Sequence, residues 1–458
     1  MRGRPGLDPA TRAMVKEAET IFALSSGSGV AGVAVIRVSG PAVRSVLAAM
    51  VSGAPPRERV ATLRTIRDPE SREILDRAIV LFMPGPRSFT GEDSLEFHVH
   101  GGRAVIRAVL SALGRVPGLR AAAAGEFTRR AFHRGRMDLT SVEGLGELVA
   151  AETEAQRKLA LKVAGGALES IYLEMRRDII EARALLESQI DFSDEDDVAE
   201  IESTPVRERI DSVRERISSL LAGAPAGRII REGFRVVLAG APNAGKSSLL
   251  NYLAGRDAAI VSVEAGTTRD VVEVRLDLDG QLVLLQDVAG IREAAGLIEG
   301  EGIDRARRAM RGADLVVALE SADAPFPPGE LDDLAGTVLA VWSKSDIAPI
   351  PTDSGTKYEL AVSVKTGLGL PELAGRLAVL AGAAMGALDS AAVHSRHAEL
   401  LQAADASLSG VLIYLKRDEW ELTADCLQSA AGQLDAILGK IGVEDVLDVI
   451  FSRFCIGK

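Results

Sequence analysis

The run Gly240-Ala241-Pro242-Asn243-Ala244-Gly245-Lys246-Ser247-Ser248 decides how this chain is read. Two glycines bracket a four-residue gap, and Lys and Ser follow, which is the phosphate-loop pattern. Before it, Phe234-Arg235-Val236-Val237-Leu238-Ala239 is an apolar run that predicts a strand; after it, Lys246 to Ala254 predicts a helix. In that setting backbone N–H groups curl around phosphate oxygens, and the helix N-terminus adds a partial positive charge. Lys246 is placed to reach β/γ-phosphates and the Ser247 hydroxyl to ligate Mg²⁺.

Four further elements follow in order. Gly266-Thr267-Thr268-Arg269-Asp270 offers a Thr that ligates Mg²⁺ only while a γ-phosphate is present, which makes the loop a switch. Val271–Leu278 and Leu282–Gln286 predict strands joined by the hairpin signal Asp279-Gly280. They lead to Asp287-Val288-Ala289-Gly290, whose Asp is expected to hold Mg²⁺ through water and whose Gly N–H is expected to sense the γ-phosphate. Val341-Trp342-Ser343-Lys344-Ser345-Asp346 is close to the Asn-Lys-x-Asp guanine reader, with Ser343 where Asn is usual. Asp346 can accept hydrogen bonds from guanine N1 and N2, which adenine cannot offer. Ser363-Val364-Lys365 is near the Ser-Ala-Lys loop that caps guanine. The order of the elements predicts a GTP switch. Ile291 stands where many small GTPases place a water-orienting Gln. Glu299 is the candidate replacement, and a monovalent cation on Asn243 is the candidate substitute for an arginine finger.

The 458 residues predict roughly three domains at about 150 residues each. With 53 Lys and Arg against 65 Asp and Glu, the net charge of −12 argues against a general nucleic-acid binder. RNA contact is left to a local basic patch or a partner protein. The two cysteines, Cys426 and Cys455, make neither a disulfide framework nor a zinc spacing and predict a reducing cytoplasm. No apolar run approaches the ~20 residues that span a bilayer, so no membrane contact is expected. Residues 1–13 lack the apolar core of a signal peptide. They predict a disordered extension, with Met14 a candidate start.

Taken in order, Val33–Val38 predicts a buried strand interrupted by Arg37, which is either at an edge or salt-bridged, or else an anion contact. Ala78–Met83 predicts another strand. In Ser94–Gly102, Leu95, Phe97 and Val99 alternate with Glu96, His98 and His100, as on a half-buried strand. The two histidines read as a polar strand face rather than a metal pair. Arg103–Leu113 predicts an amphipathic helix, so residues 1–136 form an α+β domain. Ser141–Phe192 predicts one or two long helices, and the acidic cluster from Asp191 to Asp197 a solvated loop or helix end. Thr204-Pro205 starts a helix to about Leu221, and Gly223–Gly227 reads as a linker. Helices return at Glu399–Tyr414, Leu422–Leu438 and Glu444–Phe454. Helical segments on either side of an α/β unit predict a discontinuous helical domain (137–228 and 387–458) with a Ras-like phosphate-loop α/β GTPase domain (229–386) inserted in it.

These residues carry a resemblance. From residue 18 to 458 the chain resembles the MnmE (TrmE) family of tRNA-modification GTPases. The markers are the terminus Phe454-Cys455-Ile456-Gly457-Lys458 after Ile450-Phe451-Ser452-Arg453, Phe89-Thr90-Gly91-Glu92-Asp93, Gly125-Glu126-Phe127, and Ala131-Phe132 leading to Met137-Asp138-Leu139. The resemblance implies a cytoplasmic GTPase that acts with the flavin-dependent protein MnmG, in a heterotetramer or larger complex. The pair installs an aminomethyl or carboxymethylaminomethyl group at carbon 5 of the tRNA wobble uridine. A tetrahydrofolate derivative (5,10-methylene- or 5-formyl-) supplies the one-carbon unit. It also implies a homodimer built by a folate-binding-like N-terminal domain, K⁺-dependent pairing of the nucleotide domains, and tRNA contact largely through the partner.

Carried over by position, the resemblance implies GTP contacts at Asn243, Ala244, Gly245, Lys246, Ser247, Ser248, Ser262, Thr267, Thr268, Asp287, Gly290, Ser343, Lys344, Asp346, Ser363 and Val364. Mg²⁺ would sit on Ser247 and Thr268, and K⁺ on Asn243, Ser262, the backbone of Glu264, and Thr267. Glu299 aligns with the catalytic carboxylate. Folate contacts would be Arg37, Glu96, Arg136 and Lys458. The departures are Ser26-Gly27-Ser28-Gly29-Val30-Ala31-Gly32 in the early loop, Arg136 for Lys, Val288 for Thr and Ser343 for Asn. Cys455 reads as a nucleophile or as a residue buried at a helix end. A ribosome-assembly GTPase shares the Thr-Thr-Arg-Asp loop and the phosphate-loop Asn. It is expected to carry a basic RNA-binding module, against the acidic balance and Cys-Ile-Gly-Lys end seen here. A nucleotide-gated scaffold, with the chemistry done by the partner, fits the GTP half equally well.

Overall fold

The computed structural model describes residues 19–27, 29–191, 204–255, 259–260, 273–287, 307–326, 337–352, 354–355, 357–386, 393–441, and positions 447, 450, 451, 454 and 457. The chain divides into two compact units, Met1–Gly146 with Leu438–Lys458, and Glu147–Ile437.

The first unit is built on strands β1 (Thr20–Leu24), β2 (Ala31–Ser39), β3 (Thr62–Arg67), β4 (Ile74–Met83), β5 (Ser94–Gly101) and β6 (Leu119–Ala121). Their order in the sheet is β3-β4-β5-β2-β1-β6, antiparallel except where β6 runs parallel to β1. The strict alternation along β5 buries Leu95, Phe97 and Val99 and leaves Glu96, His98 and His100 on the other face. Helices Val43–Met50 and Arg103–Arg115 present Val43, Val46, Leu47 and Met50, and Ile106, Val109, Ala112 and Leu113, to the same core. The three- and four-residue spacing of those positions is what makes each helix one-sided. Around β1, Ile21 and Ala23 pack with Ala122, Phe127 and Phe89. Leu139 and Val142 pack with Leu447 and Phe451.

In the second unit, strands β7 (Phe234–Ala239), β8 (Glu273–Leu278), β9 (Gln281–Asp287), β10 (Leu315–Glu320), β11 (Thr337–Trp342) and β12 (Leu360–Ala361) lie in the order β12-β11-β10-β7-β9-β8. All pairs are parallel except β8–β9. The Asp279-Gly280 turn has both residues at positive φ, +53° and +81°, as a primed hairpin turn requires. Lys246–Ala254 and Leu370–Met385 pack on this sheet, and Glu154–Ala164, Ala167–Asp191, Thr204–Glu232, Ser395–Leu415 and Trp420–Leu438 form a helical bundle in the same unit. They bury stripes such as Val206, Ile210, Val213 and Ile217, and Leu401, Ala404, Leu408 and Val411. The sheet is tied to this bundle at the hairpin. Ala155 N donates to Gly280 O at 2.9 Å, and Arg275 pairs with Glu152 at 2.6 Å.

Two expectations are corrected. Residues 141–191 hold three helices, Leu139–Ala150, Glu154–Ala164 and Ala167–Asp191, because Thr153 and Gln156 form a capping box that restarts the helix. The Gly223–Gly227 stretch is no linker: the helix begun at Thr204 runs through Pro225 to Glu232. A mid-helix proline costs ~3 kcal/mol. Here Leu220, Ile229 and Ile230 are buried on either side of it, and the buried Gly223 and Gly227 need no room for side chains. Packing therefore outweighs the local signal. The last predicted helix, Glu444–Phe454, falls mostly outside the described residues.

Candidate functional site

The phosphate loop joins the end of β7 to the helix Lys246–Ala254, the arrangement its sequence predicts. Gly240 has φ +152°, and a Cβ there would overlap the Leu319 carbonyl, so only glycine lets the loop pass the end of β10. Asn243 adopts φ +68°, a left-handed conformation that Asn tolerates. Gly245 is the N-cap at φ +96° with open space around its Cβ position, and Ser248 is exposed in the first turn. Lys246 is only 6% exposed, and its Nζ donates to the carbonyls of Gly240 and Ala241, each at 2.9 Å. An ammonium held over the loop by neutral carbonyls can transfer to phosphate oxygens, which are stronger acceptors. Ser247 Oγ donates to Asp287 Oδ2 at 2.6 Å. The pair brings a hydroxyl and a carboxylate from two elements to one point, a donor set suited to a hard cation such as Mg²⁺.

The base-reading loops close the other side. Ser343 is 4% exposed, and its Oγ donates to Ala244 O at 2.6 Å. Lys344, at φ +54°, pairs with Asp323 at 2.6 Å. That ammonium, with the Ser321 hydroxyl, holds Asp323 below the ordinary carboxylate range. Asp346 Oδ1 accepts from Ser363 Oγ at 2.7 Å, and Ser363 Oγ accepts from Thr366 N at 3.2 Å. Val364 lies in the turn that follows. The three candidate loops therefore meet: Ser343 links the base reader to the phosphate loop, and Ser363 links it to the cap. Neither link, nor the Asp323 contact, was assigned from sequence. Only the turn residues after β10 hinted at the last.

The N-terminal candidates are also placed. Arg37 and Glu96 face one another in the β2–β5 register and pair through Nε at 3.0 Å and Nη2 at 2.8 Å. Arg37 is thus the salt-bridged strand arginine of the first alternative. Its guanidinium also lies 5.3 Å and 5.9 Å from the Phe89 and Phe127 ring centroids. His98 meets Glu96 at 3.2 Å and His100 meets Asp76 at 2.8 Å, so the histidines are a polar strand face. No cluster suited to a metal occurs among the described residues. Arg136 packs beside Gly91, in the loop that carries Phe89. At the chain's end Ser25 Oγ donates to Gly457 O at 2.8 Å, and a Cβ on Gly457 would overlap the Leu24 carbonyl. Leu24 follows Ala23, the β1 residue registered with Arg37. Ser262, Glu264, Thr267, Thr268, Gly290, Glu299, Lys458 and Cys455 lie outside the described residues.

A phosphate loop braced to a guanine-type reader, on a mainly parallel sheet tied to a helical bundle, defines a multidomain GTPase. Residues 20–136 match the family model for the GTP-binding protein TrmE N-terminus, and residues 139–455 that for the MnmE helical domain. The tRNA modification GTPase MnmE of Chelativorans sp. (strain BNC1) is 48% identical over 442 residues, covering 96% of this chain and 98% of the relative. That of Rhizobium johnstonii is 47% identical over 451 residues, covering 97% and 100%. The chain belongs to the MnmE family of tRNA modification GTPases, and hydrolyses GTP in the service of that modification. None of the described helices is long and apolar enough to cross a membrane.

Proposed function

We propose that this GTPase requires K⁺, works as a homodimer with the flavoprotein MnmG in the cytoplasm, and uses a tetrahydrofolate one-carbon unit at C5 of the wobble uridine. The observation that carries the folate half is the docking of Gly457 on Leu24 and Ser25, next to the Ala23–Arg37 pair. It brings Gly457 to the end of β1, the neighbour of β2, whose Arg37 pairs with Glu96 of β5; Arg37 and Glu96 are the implied folate contacts. The half-buried Phe89 ring beside Arg37 adds flat apolar surface of the kind a pterin ring stacks on. The homodimer reading is supported by the sheet face turned away from the helices, where Val33, Leu63 and Ile79 are exposed.

For hydrolysis, Lys246, Ser247 with Mg²⁺, and Asp346 bind and orient the nucleotide. Glu299 acts on the attacking water, and K⁺ on Asn243 supplies the charge an arginine finger gives elsewhere. The test is GTP turnover in KCl against NaCl at equal ionic strength, with the Glu299→Ala variant alongside. K⁺ should stimulate turnover about tenfold or more. Glu299→Ala should slow it ~10²–10⁴-fold with GTP binding retained. Equal rates in the two salts would remove the cation, and unchanged turnover in the variant would remove Glu299.

A further inference from the structure

Charge is divided unevenly along this chain. Residues 1–146 with 438–458 carry 24 Lys and Arg against 17 Asp and Glu, a net of +7; residues 147–437 carry 29 against 48, a net of −19. Several arginines of the first unit are spoken for: Arg37, Arg44, Arg115, Arg120, Arg130 and Arg134 have carboxylate partners. Arg103 and Arg107 are exposed and make no side-chain hydrogen bond or ion pair among the described residues. They stand four residues apart on a helix with no acidic residue in it, so like charges face one another with no carboxylate to offset them. A purely solvated helix face would gain by a carboxylate at either position.

These two arginines, with Ile106, Leu110, Ser111 and Leu24, line an open depression of about 690 Å³. Leu24 is also the residue against which Gly457 is docked. The basic depression and the chain's end therefore share one residue. We propose that this depression is a direct contact for the sugar-phosphate backbone of the tRNA substrate, with Arg103 and Arg107 each neutralising a phosphate and the apolar residues supporting a ribose or base. The substrate's identity rests on the family assignment. The contact is made by this chain itself, through a local basic patch on an otherwise acidic chain.

The experiment is tRNA binding to the full-length chain, by anisotropy of a labelled unmodified tRNA across a salt titration, for the native protein and the Arg103→Ala/Arg107→Ala double variant. Losing two single-strand phosphate contacts should flatten the slope of log K against log salt by about 1.4 and weaken binding roughly 25-fold near 0.1 M salt. Arg103→Lys/Arg107→Lys should keep most of the slope, and GTP turnover without tRNA should not change in either variant. An unchanged slope in the alanine variant overturns the proposal, as does a native chain with no salt-dependent tRNA binding. A third contrary outcome is lost affinity for a polyglutamylated tetrahydrofolate with tRNA binding intact, which would give the arginines to the folate tail instead.

Discussion

The Ser343 hydroxyl donates a 2.6 Å hydrogen bond to the main-chain carbonyl of Ala244, joining the guanine-reading loop to the phosphate loop across 99 residues of sequence. It also lies 3.2 Å from Glu320 O, and it is almost wholly buried. A hydroxyl can brace the two loops, but it is one heavy atom shorter than an Asn side chain and has no amide.

Ser343→Ala should therefore loosen the nucleotide site rather than stop its chemistry. Loss of one buried hydrogen bond of about 1 kcal/mol corresponds to roughly fivefold weaker GTP binding. Fluorescent-GTP titration checks the affinity, and the turnover number at saturating GTP should stay within about twofold.

Ser247 on the phosphate-loop helix and Asp287 at the end of β9 couple a hydroxyl to a carboxylate at 2.6 Å. With Ser247→Ala, both the proposed Mg²⁺ ligand and the anchor for Asp287 go. GTP turnover should fall by about 10² or more. The Mg²⁺ concentration for half-maximal rate should rise, which a simple folding defect would not produce.

Glu92 stands at the centre of a buried network. It accepts from Ser39 Oγ at 2.9 Å, from Arg130 Nη1 at 3.1 Å and from Arg134 Nη2 at 2.7 Å. Glu92→Ala takes one of its two carboxylate partners from the Arg130 guanidinium, which is 3% exposed and keeps Glu126 at 3.1 Å, and should cost about 3 kcal/mol. Both tryptophans, Trp342 and Trp420, lie in the other unit, so hydrogen exchange of the β2 and β5 peptides is the suitable readout.

Glu126 gives a pH signature. Burial pushes its carboxyl up, but the Arg120 hydrogen bonds, the Ala123 N–H and the charges of Arg120 and Arg130 together bring it below its ordinary value of 4.5. A carboxylate with a depressed folded-state pKa contributes stability above the unfolded value and loses it as pH falls through the folded one. Glu126→Gln should thus destabilise the first unit by about 2 kcal/mol at pH 7, and the gap between variant and native should narrow below about pH 4.5. A gap constant from pH 7 to pH 3 would contradict the assignment.

What was legible in the sequence was what is local. The strand, phosphate loop and helix around Lys246 follow from residues within about twenty positions, and the Asp279-Gly280 turn from two. Arg37 was legible as a strand arginine needing a partner, but the choice of Glu96 depends on the β2–β5 register, which pairs residues 59 apart. The Ser343 brace and the Gly457 docking depend on still more distant contacts. Pro225 misled because proline is a strong local signal, whereas the burial of Leu220, Ile229 and Ile230 that overrides it is tertiary.

The most direct test of the account is a reconstituted reaction: this chain, MnmG with its flavin, a tetrahydrofolate one-carbon donor, K⁺, Mg²⁺ and unmodified tRNA, followed by nucleoside mass spectrometry. With GTP the wobble uridine should gain the C5 aminomethyl-type group, and with a non-hydrolysable GTP analogue it should not. Equal modification with the analogue, or with this chain omitted, would contradict the claim that GTP hydrolysis by this protein drives the modification.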